Sequence, residues 1–151
     1  MTAARLLPWF VVACAFPLVA HAVTPAQEKA FVETWRKAFE SKDAATLESL
    51  LDTKGADREA LEFYRAMMTE GMGARIDAIA LEPLSEADRV DAARTLRGPG
   101  GKELRLTLVP VRKLVVRRTH RDGSGSSTST SRVYVAESGG RLVVPVPGPA
   151  R

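Results

Sequence analysis

The hydrophobic period of this chain changes once, near Gly71-Met72-Gly73, and that change limits the fold more than any other feature. Before it, Phe31, Trp35, Ala38 and Phe39 stand at i, i+4, i+7 and i+8, a single apolar stripe along an α-helix. After it, apolar and polar residues alternate, the two-residue period of a strand with one buried face. Helices that precede strands, rather than alternate with them, indicate an α+β domain with N-terminal helices packed on a curved antiparallel sheet.

Punctuation residues refine this outline. Thr24 before Pro25 starts the first helix; Asp43 caps a short second one that turns Leu47, Leu50 and Leu51 inward and ends at Lys54-Gly55; Asp57 starts a third carrying Leu61, Tyr64 and Met68. About four strands are expected: Arg75 to Leu84, Lys102 to Arg121, Arg132 to Glu137, and Arg141 to Pro147. Pro110 lacks a ladder donor, which confines it to an edge or a bulge of the second. The first half of the polar stretch 85–101 suits a helical turn, 122–129 a flexible hairpin connection. One domain therefore covers 23–147, and 148–151 is expected to fray.

Residues 1–22 read as an export signal, with Arg5, an apolar run from Leu6 to Ala20 and a cleavage site at Ala20-His21-Ala22. Pro8 and Pro17 interrupt the run, which falls short of the roughly 20 residues of a spanning helix. Cleavage and release to the periplasm or the exterior are expected, with no transmembrane span. The alternative is a lipoprotein anchored at Cys14, because Val11-Val12-Ala13-Cys14 resembles a lipid-attachment motif. Cleavage would leave 129 residues of the 151, lower the formal charge from +4 to +3, and remove the single Cys and one of two His. His120 alone then excludes a disulfide, a thiol nucleophile and the Cys/His ligand sets of structural zinc, so neither metal nor cofactor is expected. The small net charge and the lack of aromatic residues within the basic run speak against nucleic acid.

FVETWRKAFESKDAATLESLL, with Phe31, Trp35, Ala38, Phe39, Asp43, Leu47, Leu50 and Leu51 at its key positions, resembles the opening helices of nuclear transport factor 2-like (SnoaL-like) domains. The resemblance implies a cone of helices closed by a bent sheet, with a pocket between them. Phe31, Trp35, Phe39, Tyr64 and Met68 would line that pocket, or serve as core. The fold hosts catalysts, binders and assembly modules alike.

Among chemical candidates, Asp77 shares a strand face with Ile79 and Leu81 and would point toward Tyr64. A buried carboxylate there would have the raised pKa of a general base, with Tyr64 as donor, as in an isomerase or dehydratase. Alternatively Asp77 is solvated and pairs with Arg75 or a basic neighbouring strand. His120, among Arg117, Arg118 and Arg121, is too open for catalysis. Charge is segregated: residues 33–91 hold 14 acids and 8 bases, residues 102–121 hold 7 bases and 1 acid. Arg112, Lys113, Arg117 and Arg118 form a basic sheet patch, facing an anionic envelope component or an acidic partner, or else guarding an edge strand and pairing with the acidic helices. The expected function is non-catalytic: an exported domain that binds a small apolar ligand or an envelope protein. The alternatives are the pocket-carboxylate enzyme and a module that homodimerises through its sheet.

Overall fold

Three capped helices open the described chain, residues 22–150 of a computed structural model. The expected export signal, 1–22, lies outside the described residues as far as His21, Cys14 included, as does Arg151. In α1 (Pro25–Glu40) the Thr24 hydroxyl accepts from the Gln27 N–H at 3.2 Å while the Gln27 side chain accepts from the Thr24 N–H at 2.8 Å, a closed capping box. Asp43 caps α2 (Ala44–Glu48) through the Thr46 N–H, and Asp57 caps α3 (Arg58–Thr69) through those of Glu59 and Ala60. A fourth helix, α4 (Glu86–Ala92), extends the expected helical turn and has its own capping box between Ser85 and Asp88.

Eight strands follow or interleave: β1 (Leu51–Asp52), β2 (Ala78–Glu82), β3 (Leu96–Arg97), β4 (Glu103–Leu106), β5 (Arg112–Asp122), β6 (Gly125–Ser138), β7 (Arg141–Pro145) and β8 (Pro147–Pro149). The main sheet runs β1-β7-β6-β5-β2, antiparallel except where β1 lies parallel to β7; a second sheet runs β3-β4-β8. The class is α+β, as expected, but five strands plus three replace a single sheet of about four. Lys102 to Arg121 is two strands in two sheets, because the segment around the buried Pro110 breaks the ladder. Within the end expected to fray, 148–150 is instead paired: Gly148 lies opposite Arg105, and the Ala150 N–H donates to the Glu103 carbonyl at 2.9 Å. Antiparallel ladders use alternate residues for hydrogen bonding to one neighbour. Pro147 and Pro149 fall on the positions that need no donor toward β4, so the prolines do not end the strand.

α1 to α3 cover one face of the main sheet. Trp35, Phe39, Leu47 and Met68 from the helices meet Ile76, Leu114, Val116, Val135, Leu142, Val144 and Val146 from the strands and their connections in one buried cluster. β8 closes the end of this core by close contact. A Cβ on Gly148 would collide with the Gly55 carbonyl oxygen and lie 3.1 Å from Thr107 Cγ2. Around it, the Asp57 N–H donates to the Pro147 carbonyl at 2.9 Å and the Thr107 hydroxyl to the Val146 carbonyl at 2.9 Å.

Candidate functional site

Alternation along β5 decides where the basic residues go. Leu114 and Val116 are buried in the core, so Arg112 and Arg118 share the helix-facing side, while Lys113 and Arg117 point to the opposite face. Arg112 Nε lies 2.7 Å from Glu28 Oε1 on α1. The Arg118 guanidinium sits 5.0 Å from the centroid of the Phe39 ring and donates to the Glu70 carbonyl at 3.0 Å. Lys113 Nζ lies 2.8 Å from Asp88 Oδ2 on α4. The four predicted patch residues are therefore divided between two faces, and three of them are held internally, two by acidic helices. Arg117 is exposed, with no ion pair among the described residues.

The aromatic stripe is core. Phe31, Trp35 and Phe39 are 4–5% exposed and Met68 is buried with them. Trp35, Phe39 and Met68 border a cavity of about 80 Å³ closed at one side by Arg118, well below the 300–1,000 Å³ typical of ligand pockets. Tyr64 is half-buried, in edge-on contact with Phe63, and burial pushes its phenol pKa up. Asp77 is exposed one position ahead of the β2 ladder, its N–H bonded to the Arg117 carbonyl at 3.0 Å. Neither Asp77 nor Tyr64 lines the inner cavity beside Trp35 or the cavity beside α4. Arg36 and Glu40 of α1 hydrogen-bond the backbone of the neighbouring Ile76 at 2.8 and 2.9 Å, while the Asp77 side chain stays exposed. His120 is exposed on β5 opposite Ser127.

α4 builds the surface that local sequence patterns did not indicate. It lies across the outer face of the main sheet, held by Lys113 and by the Tyr134 hydroxyl, which donates to Asp91 Oδ2 at 2.9 Å and lies 3.2 Å from the Asp88 carbonyl. The hydrogen bond from Lys113, supported by the Ser85 N–H and hydroxyl, holds the Asp88 pKa down at about 2. Burial, reinforced by the Asp91 carboxylate, pushes Tyr134 up to about 12. The pH dependence follows by linkage. Asp88, lowered on folding, stabilises the docked helix above the ordinary carboxylate range and loses that contribution as pH falls from about 4 toward 2. Tyr134, raised on folding, contributes below about pH 10 and loses its contribution as pH rises toward 12. Amide protection in α4 is expected to fall at both extremes before the core opens. The absorbance titration at about 295 nm should contain a step near pH 12 that Tyr134→Phe removes. A step at the ordinary value of about 10 would show that the phenol is not docked.

Between α4 and the chain that leaves β4 runs a groove of about 360 Å³. Leu84, Ala92, Leu106, Leu108 and Pro110 make its apolar walls, and Arg89 and Arg105 also line it. Arg105 donates to the Thr95 hydroxyl at 3.0 Å. Among the described residues the Arg89 side chain pairs with Glu86 alone, at 3.5 Å with both side chains more than 60% exposed, a pairing of little strength. Val109, at the groove, is 86% exposed. The available signal was the run Leu108 to Val111, which is apolar on both strand faces. Among the described residues no group of three or more His, Cys, Asp or Glu is placed to hold a metal ion. No helix among them is long and apolar enough to cross a membrane.

No protein-family model and no curated protein matches this chain. Among solved structures it is similar to the helical cell shape determining protein Pgp2 from Campylobacter jejuni, at 13% identity and a TM-score of 0.44. The likeness covers 78% of this chain and 38% of that one, so the chain spans well under half the length of that protein.

Proposed function

We propose that this is an exported, non-catalytic binding domain on a nuclear transport factor 2-like plan, taking a small apolar ligand with an anionic group into the groove beside α4. The observation that carries this is the combination of apolar walls with two arginines, Arg89 and Arg105, lining one cavity of about 360 Å³. That volume lies within the range of small-molecule sites, which are mostly apolar with a few polar groups that fix orientation. The inner cavity, at about 80 Å³, is too small for such a ligand, and the exposed Asp77 lends no support to a catalytic base. The export signal of residues 1–22 supports a periplasmic or secreted location.

Dodecanoate, an apolar chain with one carboxylate, is a direct probe. Calorimetric titration of the full chain is expected to show binding that Arg105→Glu weakens about tenfold, equivalent to about 1.4 kcal/mol, and that Leu108→Asp abolishes. Equal affinity in both variants, or no binding by the parent chain, counts against the groove. Val90 on α4 and Leu96 on β3, 52% and 42% exposed, favour a second occupant, an apolar segment of a protein partner. Native mass spectrometry of protein recovered from its own cells separates the two by the mass retained.

A further inference from the structure

The long β5–β6 ribbon carries a second surface, unrelated to the groove. On its outer face the cross-strand rows run outward from α4 as Lys113–Tyr134, Val115–Arg132, Arg117–Thr130, Thr119–Thr128 and Arg121–Ser126. The first row is occupied by α4. Beyond it Arg132, Arg117 and Arg121 are all exposed, and no ion pair joins any of them among the described residues. The neighbouring strand β2 continues this face with Ala78 and Ala80 beside Arg117 and Val115, and its acid, Glu82, falls on the Lys113 row that α4 occupies. Arg132 and Arg117 are diagonal neighbours, about 7–8 Å apart, and Arg121 lies about 13–14 Å further along β5 than Arg117. Between them is a hydroxyl ladder, with Thr119 Oγ1 3.3 Å from Thr128 Oγ1.

Arg132 borders a cavity with Asp88 and Asp91, the acids that hold Lys113 and Tyr134, while Arg117 and Arg121 lie on rows that carry no acid, and three like charges on one face repel one another. Folding does not require them there, since the same chain neutralises Arg112 and Lys113 with acids from its helices. We propose that this face binds an anionic polysaccharide. The arginines take successive carboxylate, sulfate or phosphate groups, for which the guanidinium fork is suited. The hydroxyls of Ser126, Thr128 and Thr130 take those of the sugar. An anionic membrane is the weaker fit, because the outer three rows carry no aromatic or large aliphatic side chain to insert. Nucleic acid would lack a stacking platform.

Binding of the full chain to dextran sulfate, with uncharged dextran of equal length and phosphatidylglycerol vesicles in parallel, tests the assignment. Dextran sulfate alone should bind tightly, with affinity falling about 10- to 40-fold between about 0.05 and 0.2 M salt as three cation contacts are screened. The triple variant Arg117→Ala, Arg121→Ala, Arg132→Ala should lose at least about tenfold in affinity while melting as the parent does. Lys37→Ala, Arg75→Ala, Arg97→Ala removes the same net charge from exposed positions elsewhere and should bind as the parent does. Equal loss in that control, tighter binding to the vesicles, or no binding by the parent overturns the proposal.

Discussion

Replacing Trp35 by alanine is expected to lower the unfolding free energy by about 4 kcal/mol, toward the upper part of the range for aromatic core truncations. Trp35 is 4% exposed, its ring centroid stands 6.1 Å from that of Phe31, and it already borders a cavity of about 80 Å³. The space vacated by the indole would join that cavity, and the α1 backbone, held by a capping box at one end and packed on the sheet, is poorly placed to collapse into it. Against a typical total of about 5–15 kcal/mol, such a loss leaves a domain that is partly unfolded at physiological temperature. Thermal and urea melts followed by circular dichroism should show a midpoint lower by about 15 °C, taking about 4 °C per kcal/mol for a domain of this size. A loss below about 1 kcal/mol would mean that the indole is not packed core, and would reopen the inner cavity as a binding site.

The second large effect is expected at a residue with no side chain. Gly148→Ala places a methyl group against the Gly55 carbonyl, a backbone atom that cannot turn aside as a flexible side chain would. Overpacking of this kind costs about 1–3 kcal/mol or more. The lower entropy of the unfolded alanine chain offsets about 0.4–1 kcal/mol, leaving a net loss of about 2 kcal/mol. The damage should be local at first: β8 lifts from the Gly55 turn, the bond from the Asp57 N–H to the Pro147 carbonyl opens, and the start of α3 loosens. Hydrogen exchange should therefore rise at Asp57 to Ala60 and at Leu104 to Leu106 before it rises in α1. Gly139→Ala is the comparison, since nothing lies within 4 Å of its Cβ position, although its φ of +59 imposes backbone strain of its own. If Gly148→Ala proves no more destabilising than Gly139→Ala, the close approach does not hold.

Helices α1 to α3 were legible because their determinants are local: caps at Thr24, Asp43 and Asp57, and a stripe that repeats within one helix. The strands were legible in period but not in partnership. Leu104, Leu106, Leu114 and Val116 alternate alike in the sequence, yet the first two belong to the small sheet and the last two to the large one. That division depends on β8, more than 40 residues away from β4. The basic cluster was legible as cations that pair with acidic helices, as Arg112 and Lys113 do, but not in its division between faces. Arg112, Lys113, Arg117 and Arg118 are close in sequence, but period two sends them to two faces, and their partners Glu28 and Asp88 come from distant helices. Lys113 and Tyr134 could each be read as surface residues; only their shared row and the arrival of α4 makes them a docking pair. The apolar groove was missed because neither of its walls, α4 nor the stretch after β4, is a site by itself.

The segment Arg141 to Pro149 supplies both an interior strand of the large sheet, between β1 and β6, and an edge strand of the small one. It follows in synthesis nearly everything it holds together. β1 pairs with nothing but β7, and β4 with only the two-residue β3 until β8 is present. A chain emerging from the ribosome therefore cannot close its core until these nine residues are out. Its stability arrives late and nearly all at once.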